Sequence, residues 1–198
     1  MSITPTQLTI AEGASDSYEV VLTSRPAHEV TVAITHNGDR DIGVDDQELT
    51  FTDSDWNQEQ TVTVSSSDDD NAIDDTATLR HAAASTDGDY NGITVPEVSV
   101  TVTDDETASV SITPTQLTIA EGASDSYEVV LTSRPSHEVT VTIDSSGDRD
   151  IGIDDRELTF TDSDWNQAQT VTVSASHDDD ATDDAATFSH AVASTDGD

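Results

Sequence analysis

Carboxylates supply most of the chemistry this sequence can do, and in its first half they gather at four places. Glu12 stands in Ala11-Glu12-Gly13, and Asp41 stands in Asp39-Arg40-Asp41-Ile42-Gly43. A run follows at Asp68-Asp69-Asp70-Asn71-Ala72-Ile73-Asp74-Asp75, and a triplet at Asp104-Asp105-Glu106. Hard oxygen donors brought together from several loops are what Ca²⁺ needs, at about six to eight ligands and roughly 2.3–2.6 Å. The spacing does not fit the twelve-residue loop of an EF-hand. A solvated acidic surface accounts for the same residues, and spacing alone does not choose between the two.

Other chemistries find less support. The chain has Ser, His and Asp, but no Gly-x-Ser-x-Gly turn to present a nucleophile. Zinc would need clustered His or Cys; there is no Cys and no His-x-x-x-His pair. His81 and His190 each fall two residues after an apolar residue, Leu79 and Phe188, on the inward phase of a strand. Both are expected to be at least half buried and hydrogen-bonded within a core. Trp56 and Trp165 recur in Asp-Ser-Asp-Trp-Asn-Gln and are expected to close one end of a core. The sequence therefore reads as non-enzymatic.

The charge balance narrows the partners. There are 42 acidic residues against 6 basic ones, all of them Arg, for a formal net charge of −36. Binding a phosphate backbone needs Lys and Arg to displace counterions, so nucleic acid is excluded. Anionic membrane surfaces are repelled as well. Two carboxylates 10 Å apart in water repel by roughly 0.4 kcal/mol, and dozens of such pairs rival a net stability of about 5–15 kcal/mol. Salt or bound cations should therefore stabilise the fold. The lack of Lys and the bias of Asp over Glu look like the surfaces of proteins from extreme halophiles. With no Cys there is no disulfide, which leaves bound metal as the usual staple for a small extracellular domain. No apolar run reaches the roughly 20 residues of a membrane span, and Met1–Pro5 does not begin a signal peptide.

These residues are held in a repeat. Ser2–Asp89 realigns without a gap on Ser111–Asp198, an offset of about 109 residues, with about four positions in five identical. We expect domains at 1–110 and 111–198. The second copy stops where the first continues with Tyr90–Glu106, so the sequence reads as a piece of a longer array whose second module lacks its final strand. Within a copy, period-two alternation runs through Leu8/Ile10, Tyr18/Val20/Leu22, Val30/Val32/Ile34, Leu49/Phe51, Val62/Val64, Leu79/His81/Ala83 and Val98/Val100/Val102. Turn-forming clusters separate these runs at 12–15, 25–26, 37–39 and 87–89. Seven short strands per copy and no long helical period predict an all-β chain: two tandem immunoglobulin-like antiparallel β-sandwiches, the second truncated.

The order of these segments resembles a known family. Thr9-Ile10-Ala11-Glu12-Gly13, Tyr18–Leu22, Leu49-Thr50-Phe51, Gln60–Val64, Asp68-Asp69-Asp70 and Val100–Glu106 look like the Calx-beta domain. That family includes regulatory domains of sodium–calcium exchangers and tandem repeats of giant bacterial and archaeal surface proteins. The resemblance spans all of the first copy and most of the second. It implies calcium ligands at Glu12, Asp41, Asp69, Asp74, Asp104, Asp105 and Glu106, and at Glu121, Asp150, Asp178 and Asp183. The sequence departs from the pattern at Ala77 and Ala186, where calcium-binding members often carry a Glu, and at His177, which replaces the first Asp of the acidic run.

The expected role is a non-catalytic structural or adhesion repeat of a secreted or cell-surface protein, with Ca²⁺ stabilising its interdomain ends. Its expected partners are neighbouring repeats of the same chain and a cell-surface or glycan ligand, without membrane insertion. A carbohydrate- or protein-binding module and a calcium-sensing regulatory domain are the alternatives.

Overall fold

The computed structural model describes residues 1–179 and 181–195, and every regular element among them is a strand. The chain divides into two compact units. The first takes Met1–Asp69 and Ile73–Asp105; the second takes the chain from Glu106 on, with Asp70–Ala72.

The first unit has strands β1 (Ser2–Thr4), β2 (Gln7–Ala11), β3 (Ser15–Val21), β4 (Val30–Gly38), β5 (Ile42–Val44), β6 (Glu48–Phe51), β7 (Gln60–Ser66), β8 (Asp75–Ser85) and β9 (Val98–Thr103). They form a four-stranded sheet, β1-β3-β7-β5, and a five-stranded sheet, β2-β9-β8-β4-β6. Alternation sends one face of each strand into a shared core. Tyr18, Val20, Val62 and Val64 come from one sheet, and Val30, Val32, Leu79, Val98 and Val100 from the other. Each such side chain contributes about 1.5–3 kcal/mol on burial. Trp56 packs partly buried against this core, and its carbonyl accepts the Leu22 amide at 3.1 Å.

The seven expected runs all form strands. The sandwich adds β1 and β5, three residues each, too short to show alternation. One pairing departs from the antiparallel expectation: β2 and β9 lie parallel, with Leu8 beside Val100 and Ile10 beside Val102.

The second unit repeats the plan with β10 (Val110–Thr113), β11 (Ser124–Leu131), β12 (Val139–Gly147), β13 (Ile151–Ile153), β14 (Glu157–Phe160), β15 (Gln169–Ala175) and β16 (Ala186–Ser194). Its first sheet, β10-β11-β15-β13, matches that of the first unit strand for strand. Its second holds β14-β12-β16 among the described residues, and 116–120, the counterpart of β2, forms no strand. In the first unit β2 is held by its pairing with β9. Burial follows suit. β8 alternates into the core through Ala77, Leu79, His81 and Ala83, whereas no residue of β16 is fully buried. Among the described residues no helix is long and apolar enough to cross a membrane.

Candidate metal centre

The acidic residues of the first unit converge because of one close backbone approach. Gly38 ends β4 at φ +149°, and a Cβ there would stand 2.3 Å from the Thr76 carbonyl oxygen and 2.5 Å from Ala77 Cα. Only glycine lets the end of β4 lie so tightly on the start of β8. The Asp39 amide then donates to Thr76 O at 3.0 Å, and the Asp39 carboxylate caps the Asp41 amide at 2.9 Å. The Asp41 carbonyl accepts the Ser67 amide at 2.9 Å, which ties this turn to the acidic run. Asp75, the first residue of β8, shares the inward phase of Ala77, Leu79 and His81, so its carboxylate turns to the end of the sandwich.

As a result Asp39, Asp41 and Asp75 offer carboxylate oxygens that all lie within 4.8 Å of one another. Partial burial, together with the charges of Asp39, Asp69, Asp41 and Asp104, raises the Asp75 carboxyl to about 6. Three anionic oxygens at this spacing repel one another in water and match the donor type and separation of a Ca²⁺ shell. Asp39 and Asp75 were not singled out from the sequence; the readable signals were Asn37-Gly38-Asp39 ahead of Asp41 and the strand phase of Asp75.

The other expected ligands of the first unit stand close by. The Glu12 carboxylate accepts the Asp69 amide at 2.9 Å, and the Glu12 amide donates to Thr103 O at 3.1 Å. Glu12 and Asp105 bring carboxylate oxygens within 4.8 Å. Asp74 accepts the Asp104 amide at 2.9 Å, fixing the exit of β9 to the entry of β8. Glu106 belongs to the second unit.

In the second unit Asp148, Asp150 and Asp184 rebuild the trio of Asp39, Asp41 and Asp75, again within 4.8 Å. Gly147 repeats the close approach, with Ala185 O 2.4 Å from where a Cβ would stand. The Glu121 corner differs. His177 replaces the first Asp of the run, and its Nδ1 lies 2.8 Å from Glu121 Oε2, an ion pair when the imidazole is protonated. Asp178 is half-buried in the same loop, and Asp183 is exposed beside Asp184.

His81 is buried, with Nε2 2.8 Å from the Tyr18 hydroxyl and Nδ1 3.0 Å from Pro96 O. Since a carbonyl only accepts, Nδ1–H is the donor, and Tyr18 O–H donates to Nε2. Burial lowers the His81 pKa against the raising effect of Pro96 O. His190 is partly buried and meets Tyr127 at 3.1 Å. Both imidazoles thus hydrogen-bond a tyrosine of the facing sheet, His81 within the core and His190 partly exposed.

No family model matches the chain, and no curated protein matches it. Among solved structures it is similar to CBD12 from CALX1.2, at 17% identity over 98% of this chain and 82% of that one, with a TM-score of 0.43. It is similar to the calcium binding domain CBD12 of CALX1.1, at 18% identity over 86% and 74%, with a TM-score of 0.44. It is also similar to the class 5 fimbriae chaperone CfaA, at 11% identity over 96% and 97%, with a TM-score of 0.42. These likenesses are weak, and no family membership follows from them.

Proposed function

We propose that the chain is a non-catalytic structural or adhesion repeat of a secreted or cell-surface protein, in which Ca²⁺ holds the loop end of each sandwich. The supporting observation is the paired trio: Asp39, Asp41 and Asp75 in one unit and Asp148, Asp150 and Asp184 in the other, each set within 4.8 Å. Strand ends and a glycine contact position these carboxylates, which sit together at a cost in repulsion that a divalent cation reverses. Binding to the folded state alone would stabilise a unit by about 2.7 kcal/mol at a hundredfold excess over Kd.

Calcium titration calorimetry and thermal melts, at constant ionic strength and with magnesium as control, test this. Saturable calcium binding with a raised Tm is expected. Melts that are the same in calcium and in chelator, with no heat of binding, would refute the calcium role.

A further inference from the structure

The glycine contacts that seat the two trios differ in one neighbour. The first unit reads Asn37-Gly38-Asp39 where the second reads Ser146-Gly147-Asp148. In β4, Asn37 is exposed and pairs with Thr78, and Gly38 pairs with Ala77. The Asp39 amide donates to Thr76 O. By the alternation of an antiparallel ladder, the Gly38 amide therefore points away from β8. On that other side β6 pairs with β4 only from Val30 to Ala33. The Gly38 nitrogen thus stands outside the ladder, directly after an exposed carboxamide. The other Asn-Gly pair is engaged: the Gly92 amide donates to Ala83 O at 3.0 Å, and Asn91 Oδ1 accepts the Ser85 amide at 3.5 Å.

We propose that Asn37-Gly38 is a self-converting site, at which the chain alters its own backbone without an enzyme. The Gly38 nitrogen, deprotonated by base, attacks Cγ of Asn37 during a brief opening at the end of β4, where strands fray most readily. The N–Cγ bond forms, the Cγ–Nδ2 bond breaks, and ammonia leaves with a proton from water. Glycine permits this five-membered ring because it has no side chain to obstruct closure, and asparagine counts among the thermolabile residues. Water then opens the imide at one of its two carbonyls. One opening leaves an aspartate at position 37. The other leaves an isoaspartate, whose main chain runs through the β-carbon and is one atom longer. A longer main chain cannot keep both Asn37 opposite Thr78 and Gly38 opposite Ala77. A Cβ on Gly38 would already stand 2.3 Å from Thr76 O, so the contact has no slack for an added methylene. The start of β8 is released, and Asp39 with it. Ser146 has no carboxamide, so the second unit does not convert at this position. A loss of calcium binding on conversion rests on the function proposed above; the conversion and the release of β8 do not.

The test holds the 198-residue protein in molar KCl with chelator at mildly alkaline pH and maps its peptides over time, reading isoaspartate by labelling with an isoaspartyl methyltransferase. Isoaspartate should accumulate at position 37 ahead of position 91, with amide exchange quickened at 76–78 and unchanged at 185–187. Asn37→Ser, which copies the second unit, should remove both changes. Asn37→Asp, which adds the charge without the extra atom, should leave exchange at 76–78 close to that of the parent protein. A position 37 that stays an amide while a free peptide of residues 31–43 converts would overturn the proposal, as would conversion at 91 alone. Conversion that leaves 76–78 fully protected would overturn the release of β8. Calcium titration of the fresh protein is read separately: an absence of binding there refutes the calcium role and leaves the other outcomes standing.

Discussion

Tyr18 and His81 join the two sheets of the first sandwich through a 2.8 Å hydrogen bond inside its core, and their rings meet edge to face with centroids 5.4 Å apart. The bond requires a neutral imidazole, since Nδ1–H is committed to Pro96 O and Nε2 accepts from Tyr18.

Acid should therefore weaken this joint. His81 has a lowered pKa in the folded state, so its contribution is complete above the ordinary value of 6.5 and is lost as pH falls through the folded value. In that window the unfolded chain binds the extra proton. His81→Gln, which keeps hydrogen-bonding capacity without titrating there, should show a shallower loss of stability below pH 6.5 than the parent protein. Urea melts across that range measure the difference. Parallel curves would show that His81 is not the titrating group.

Asp75 should respond in the opposite sense. Its carboxyl is raised from 3.8 to about 6, so its contribution is full below the lower value and is lost as pH rises through the upper one. Asp75→Asn should stabilise the calcium-free protein at neutral pH by about 1 kcal/mol, after allowance for solvent screening. The same variant should lose the calcium response of the first unit. Melts of parent and variant in calcium and in chelator give both signs at once.

Gly38→Ala places a methyl group against the backbone of Thr76 and Ala77 and strains a positive φ. A cost of about 1–3 kcal/mol is expected, together with weaker calcium binding as Asp39 is pushed off β8. Gly147→Ala should do the same to the second unit. Calorimetric titration of the two variants checks whether each removes its own site and spares the other.

Hydrogen exchange should separate the units. β8 is paired on both sides, by β4 and β9, while β16 is paired only by β12 among the described residues. Amides of 186–194 should exchange well before those of 75–85. Equal protection would mean that the pairing of β8 with β9 adds little to local stability.

Much of this architecture is legible in the sequence because period-two alternation of Val, Leu and Ile in 8–102 names the strands and their inner faces without reference to partners. The short strands β1 and β5 are not legible, because three residues carry no period. The site was half visible. Glu12, Asp41 and Asp150 stand out as acids at strand ends, but Asp75 and Asp184 hide beside Asp74 and Asp183. Which of two neighbouring carboxylates enters a trio depends on strand phase counted back from His81 or His190. The parallel β2–β9 pairing was also out of reach, since alternation gives a strand its faces and not its neighbours.

That parallel pairing governs how the first unit bears a load. A pull on its two ends draws β2 and β9 in opposite directions along their shared axis. The ladder from Gln7–Ser99 to Ala11–Thr103 is then strained all at once, in shear, instead of parting one rung at a time. The Ser99 amide on Thr6 O and the Glu12 amide on Thr103 O lengthen the clamp by one bond at each end. Forced unfolding is governed by an unfolding rate, and the Leu8–Val100 and Ile10–Val102 neighbours lie in the ladder that resists this shear.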